Sequence, residues 1–125
     1  REKMVEGGRG GAIINVGSVG GYRASDVIGG YSVSKAAVIM LTQVQAKTWE
    51  QDGIRVNCIA PGLIKTEFAR ALWDNEEIRK SSESEASLSR IGEPDEIAGA
   101  AVYLASPAAS FLTGQTLVID GGRLV

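Results

Sequence analysis

Two short apolar runs with one long helical stretch between them constrain this chain more than anything else in it. Ala12, Ile13, Ile14, Asn15 and Val16 form a nearly continuous apolar run between turn signals. That suits a strand buried in a parallel sheet. Residues 54–60 alternate at first and then become apolar, and Pro61 and Gly62 follow them. They read as a second strand. Between the two, residues 29–51 read as one helix closed by Gly53. Strand, helix, strand in that order is a βαβ unit with a right-handed crossover. The helix carries Val33, Ala36, Ala37, Val38, Ile39, Met40, Leu41, Val44, Ala46 and Trp49, more than one stripe can hold. It is therefore expected to be covered on more than one side.

The flanking segments fit around that unit. Residues 1–6 read as the last turn of a helix, so the chain is expected to begin inside an element. Residues 7–11 are a glycine-rich turn that precedes a strand and lacks the G-x-G-x-x-G spacing of a dinucleotide fingerprint. Residues 17–30 are a Gly- and Ser-rich loop, with Ser25 and Asp26 as the helix-start signal. Residues 63–80 are loosely helical, and residues 81–89, rich in Ser and Glu, are expected to be a mobile loop. Pro94 opens another helix, with Glu93, Asp95 and Glu96 near the positive end of its dipole, running to about residue 106. Residues 115–119 form a third strand, and Asp120, Gly121 and Gly122 follow.

The chemistry-bearing residues cluster around the first strand and the long helix. Ser18 follows the strand, and Tyr31 and Lys35 are four apart, on one face of the helix. An ammonium one turn from a phenol favours the ionised form of the phenol. A phenol so placed can give or take a proton, and the Ser18 hydroxyl could bond the same substrate oxygen. Taken alone, a Tyr-x-x-x-Lys pair on a helix reads as a surface pair. Histidine is absent and Cys58 is the single cysteine, which removes Ser-His-Asp and Cys-His chemistry and argues against a zinc site. Val16 to Gly20 fails as a hydrolase elbow, because Val16 stands where that motif needs glycine. A net charge of −2 without a basic patch gives no support to nucleic-acid or anionic-membrane binding. No apolar run approaches the roughly 18 residues of a membrane helix. One unpaired cysteine fits a cytoplasmic protein.

In order, these motifs resemble the short-chain dehydrogenases/reductases. Residues 11–18 resemble the family's strand leading to its catalytic serine. Tyr31-x-x-x-Lys35 resembles its Y-x-x-x-K signature, at the family's distance from Ser18. Ile54 to Asn57, then Pro61-Gly62-x-x-x-Thr66, resemble the next strand and the nicotinamide loop. Arg90-x-Gly92-x-Pro94, Gly114-Gln115 and Asp120-Gly121-Gly122 resemble the C-terminal segments. The resemblance implies Tyr31 as general acid/base. Lys35 would hold the nicotinamide ribose and tune Tyr31, and Ser18 would steady the substrate carbonyl. Pro61, Gly62, Ile64 (through its backbone) and Thr66 would contact the nicotinamide end of NAD or NADP. Residues 63–66 with Leu72 and Trp73 look most like the carbonyl- and retinal-reducing members, and residues 68–89 would cover a hydrophobic carbonyl or alcohol substrate.

Family members are roughly twice this length, a doubly wound sheet of two halves. Residues 1–125 match only the second half, as a single partial Rossmann-type α/β domain of three strands with flanking helices. The Gly-rich phosphate loop, the residue that chooses NAD or NADP and the family's catalytic asparagine are not in the sequence, and Gly17 replaces a common second serine. A dinucleotide is therefore not expected bound to this chain by itself. The alternative is a non-catalytic half-domain that only self-associates. In either case a homodimer or homotetramer is expected, through the long helix and the unpaired edge of the first strand.

Overall fold

The structure is a computed structural model and describes residues 1–26 and 28–125. Val27, inside the loop expected over 17–30, lies outside the described residues. Helix α1 (Glu2–Glu6) leads into β1 (Gly11–Val16), followed by α2 (Gly29–Thr48) and β2 (Ile54–Pro61). Then come α3 (Arg70–Trp73), α4 (Glu76–Glu85), α5 (Pro94–Ala105) and β3 (Thr116–Ile119). The three strands form one parallel sheet in the order β1-β2-β3. Gly11 pairs with Ile54 and Val16 with Ile59, and Cys58 pairs with Thr116.

β2 is the centre of the molecule, and its composition says why. Ile54, Val56, Cys58, Ile59 and Ala60 are buried, as a strand covered on both faces requires. Ile54 and Val56 pack on Ala46 of α2, with Met4, Ile13 and Trp49 around them. The intervening side chains turn the other way. The Arg55 guanidinium donates to the carbonyls of Leu104 and Ser106 at the end of α5, at 2.9 and 3.2 Å. These are free carbonyls of a helix terminus, where a cation is favourable. Asn57, 1% exposed, donates to Leu112 O at 2.8 Å and accepts from Gln115 N at 3.1 Å. The helices α2 and α5 thus cover opposite faces. β2 meets β3 only over its second half. Its first half is fastened to the segment 112–115 by Asn57, by Val56 N–H donating to Thr113 Oγ1 and by Gly114 N–H to Val56 O.

Three expectations need correction. Residues 81–89 are not a loop throughout, because α4 continues to Glu85. Asn75 starts it by accepting from Glu77 N and Ile78 N, and Lys80–Glu76 and Arg79–Glu83 pairs run along it. Ser82 and Ala86 are buried, and Leu88 N–H bonds Gly121 O. The long helix ends at Thr48, and a 3₁₀ turn over Glu50–Asp52 leads to Gly53, whose φ of 66° is the left-handed conformation glycine accommodates. Nor is that helix covered on more than one side within this chain: Val33, Met40, Leu41 and Val44 are exposed. Ile39, next to Met40, packs inward on Gly17 and Gly21.

Candidate active site

Because the three strands are parallel, their carboxyl ends lie along one edge of the sheet, where open α/β sheets place their ligands. Every candidate residue sits there. Ser18 follows β1 and opens the 3₁₀ turn Val19–Gly21, its Oγ accepting from Gly20 N at 3.0 Å. Used as an acceptor in this bond, the hydroxyl keeps its own hydrogen to donate. Gly20 lies between the serine and the phenol. A Cβ built on it would stand 3.4 Å from both Ser18 Oγ and Tyr31 Cε1. Tyr31 is in the first turns of α2 and 38% exposed, so its ring is open to a substrate.

Lys35, one turn on, is anchored to the same edge. Its Nζ donates to Val16 O, the last residue of β1, at 3.1 Å and stands 5.5 Å from the centre of the Tyr31 ring. Among the described residues its other two N–H donors have no partner. Asn15 has a structural place instead: its Nδ2 bonds Thr42 Oγ1 and Gln45 Oε1, each at 3.0 Å, and holds β1 to α2.

The second set of candidates leaves the end of β2. Pro61 closes the strand, and Gly62 N donates to Ile119 O at 2.9 Å. A Cβ on Gly62 would come within 2.9 Å of Asp120 Cα, so glycine is what allows β2 and β3 to run on side by side here. Ile64 bridges to Gly92, with Lys65 N–H bonding Gly92 O and Gly92 N–H bonding Leu63 O. The N–H of Ile64 has no partner among the described residues. Thr66 Oγ1 accepts from Ala69 N at 3.3 Å, and its carbonyl accepts Trp73 Nε1 at 2.7 Å. The Trp73 ring has Lys65 and Arg70 within 6 Å of its centre.

Sequence reasoning missed a cluster beside this edge. Glu85 Oε2, at the end of α4, accepts from Arg23 Nη1 at 2.8 Å and from Arg123 Nε at 3.0 Å. The Arg123 hydrogen bond first, and then Arg123's and Arg23's charges and the Arg23 bond, hold the Glu85 carboxyl below its ordinary range against the opposing effect of burial. No local spacing signals this cluster, since its members come from three distant segments. Among the described residues no group of His, Cys, Asp and Glu could hold a metal ion. Among them too, no helix is long and apolar enough to cross a membrane.

A parallel three-stranded sheet with helices on both faces, its polar residues gathered at the strand carboxyl ends, makes this an α/β protein with part of a Rossmann-type sheet. The family model described as enoyl-(acyl carrier protein) reductase matches residues 1–123, and the chain belongs to the short-chain dehydrogenase/reductase family. It is 42% identical over 115 residues to dehydrogenase/reductase SDR family member 4 of Bos taurus, covering 92% of this chain and 41% of the relative. Galactitol 2-dehydrogenase (L-tagatose-forming) of Cereibacter sphaeroides is 42% identical over 117 residues, covering 92% of this chain and 46% of that one. Among solved structures, a gluconate 5-dehydrogenase from Burkholderia cenocepacia J2315 in complex with NADP and tartrate superposes with a TM-score of 0.93 at 40% identity. That match covers 98% of this chain and 48% of the other. The chain thus spans less than half the length of these relatives.

Proposed function

We propose that this chain carries the proton-transfer and nicotinamide-side part of an NAD(P)-dependent oxidoreductase that interconverts a carbonyl compound and an alcohol. The observation that carries the reading is the placement of Lys35: its ammonium is tethered to the end of β1, beside the Tyr31 ring, with Ser18 across Gly20. The dehydrogenase and reductase relatives, one of them solved with NADP, support the same reading.

The donor set fits a nicotinamide nucleoside. The free N–H groups of Lys35 suit ribose hydroxyls, and the unpaired N–H of Ile64, with the Thr66 hydroxyl, suits a carboxamide. Pro61 and Gly62 would border that end of the cofactor. When bound, the nicotinamide would supply or accept the hydride. Ser18 would donate its hydrogen to the substrate oxygen and fix it near Tyr31. In reduction the Tyr31 O–H gives its proton to that oxygen as the carbonyl becomes an alcohol, and in oxidation the phenolate takes the alcohol proton. Lys35 would stabilise the phenolate in both directions. The exposed face of α2, with Val33, Met40, Leu41 and Val44, would meet its copy in a homo-oligomer.

In a protein that joins these residues to a dinucleotide-binding half, Tyr31→Phe should lower kcat for NADH or NADPH oxidation by about 10² or more, as loss of positioned acid/base catalysis does. Near-full activity of that variant would remove the assignment. Lys35→Ala should weaken both cofactor binding and rate. The second reading, a domain that only self-associates, draws on the unpaired β1 edge and the same α2 face. Micromolar binding of NADH or NADPH by calorimetry would eliminate it.

A further inference from the structure

The Arg23–Glu85–Arg123 cluster borders an open concavity of about 420 Å³ lined by Tyr22, Arg23, Arg123, Leu124 and Val125. One carboxylate oxygen serves both guanidiniums. The other nitrogens of Arg23 and Arg123 have no hydrogen-bond partner among the described residues, nor has the Tyr22 hydroxyl. Two side-chain cations face one side-chain carboxylate, which leaves a single positive charge and several unused donors around one hollow. Like charges are brought this close only when something opposes their repulsion. Glu85, bonded to both guanidiniums, opposes it.

The hollow stands in a definite relation to Ser18. Tyr22 caps the 3₁₀ turn that Ser18 opens. At about 2 Å of rise per residue, the backbone of Tyr22 stands roughly 8 Å along the turn from that of Ser18. A chain of a few carbons spans that interval.

We infer that Tyr22, Arg23 and Arg123 form a cradle for a carboxylate carried by the substrate, so that the substrate class is an oxo or hydroxy acid. This rests on the proposed oxidoreductase reading for the reacting end, while the cradle itself stands on its own geometry. A guanidinium presents a planar fork that matches a carboxylate. One residual positive charge matches a carboxylate better than a phosphate, which carries more negative charge.

The test has two arms. In the first, the chain is titrated by NMR and calorimetry with glutarate, its neutral diamide and inorganic phosphate. Glutarate should bind saturably, shift resonances of Tyr22, Arg23 and Arg123, and weaken as salt is raised. Arg123→Gln should reduce its affinity roughly tenfold or more, the range of a charge-assisted hydrogen bond. Arg123→Lys, which keeps the charge and loses the fork, should lie between, and circular dichroism checks that both variants fold. Equal binding of the diamide, tighter binding of phosphate, or no binding by a folded wild-type chain overturns the cradle. In the second arm, in a protein that joins these residues to a dinucleotide-binding half, 5-oxohexanoate and its methyl ester are compared as substrates for NADH or NADPH oxidation. The acid should be preferred, with the preference lost in Arg123→Gln; equal use of the ester overturns the inference. Reduction of neither counts against the oxidoreductase reading, while the titration still reads the cradle.

Discussion

The alignment of Ser18 with Tyr31 depends on how closely the 3₁₀ turn after β1 rests on α2, and Gly21 sets that distance. A Cβ built on Gly21 would stand 2.9 Å from Ala36 N and 2.9 Å from Lys35 C, and 2.8 Å from Ile39 Cδ1. The Ile39 methyl can swing away, but the helix backbone cannot. Restoring an ordinary contact of about 3.5 Å means separating the turn from the helix by roughly 0.6 Å. Gly21→Ala should therefore cost about 1–3 kcal/mol, the usual penalty of overpacking, and lower Tm by several degrees. A displacement of that order between Ser18 and Tyr31 should also lower any carbonyl-reducing activity, by up to about 10²-fold for a shift near 1 Å. Gly29→Ala is the control. A Cβ there meets nothing within 4 Å, so the substitution should be neutral or stabilise by up to about 1 kcal/mol. Urea denaturation of both variants is the assay. A Gly21→Ala midpoint equal to wild type, or a loss no greater than that of Gly29→Ala, would refute the reasoning.

Asn57→Ala takes away the acceptor of Gln115 N and leaves Leu112 O with only the longer 3.5 Å bond from Arg55, and should lower stability by about 1–3 kcal/mol; an unchanged urea midpoint would contradict it. Glu96 is held down to about 2 first by the Arg90 hydrogen bond and then by the Glu93 N–H. Its contribution is thus complete above the ordinary glutamate value near ~4.3 and is lost as pH falls through about 2. Carbon NMR titration should show that low midpoint for Glu96, moving up in Arg90→Gln, and an unmoved midpoint would discard the pair as its cause. Met40→Asp, on the exposed face of α2, should dissociate an oligomer formed through that face, as read by light scattering. An oligomer that survives would place the contact elsewhere.

The sheet and the long helix are legible because apolar runs bounded by glycine and proline admit few alternatives. Ser18, Tyr31 and Lys35 are legible because the helical period alone sets two of them one turn apart, and the structure brings Ser18 to their side. Residues 81–85 were misleading, since a Ser/Glu-rich stretch reads as solvated. The local sign was present in Asn75 followed by Glu76 and Glu77, a cap with acids in the first turn. The inward turn of Ile39 could not be read, because it depends on a 3₁₀ turn whose glycines admit the side chain. The meeting of Arg23, Glu85 and Arg123 leaves no trace in local spacing, since tertiary packing alone joins their segments.

The fastening of β2 to the segment 112–115 has a kinetic consequence. β1 and β2 close a span of ~40 residues and β2 and β3 one of ~60, and loop-closure entropy separates these by only about 0.3 kcal/mol. Chain length therefore does not choose which strand joins β2 first. The preformed helix between β1 and β2 does, together with the longer pairing there, six residues against four. β3 is then expected to be the last strand to dock, and Asn57 and Thr113 wait on its arrival for their bonds. In pulse-labelled hydrogen exchange, the amides of β2 facing β1 should become protected before Gly114 and Gln115 do, and the reverse order would show that the carboxyl-terminal strand nucleates the sheet.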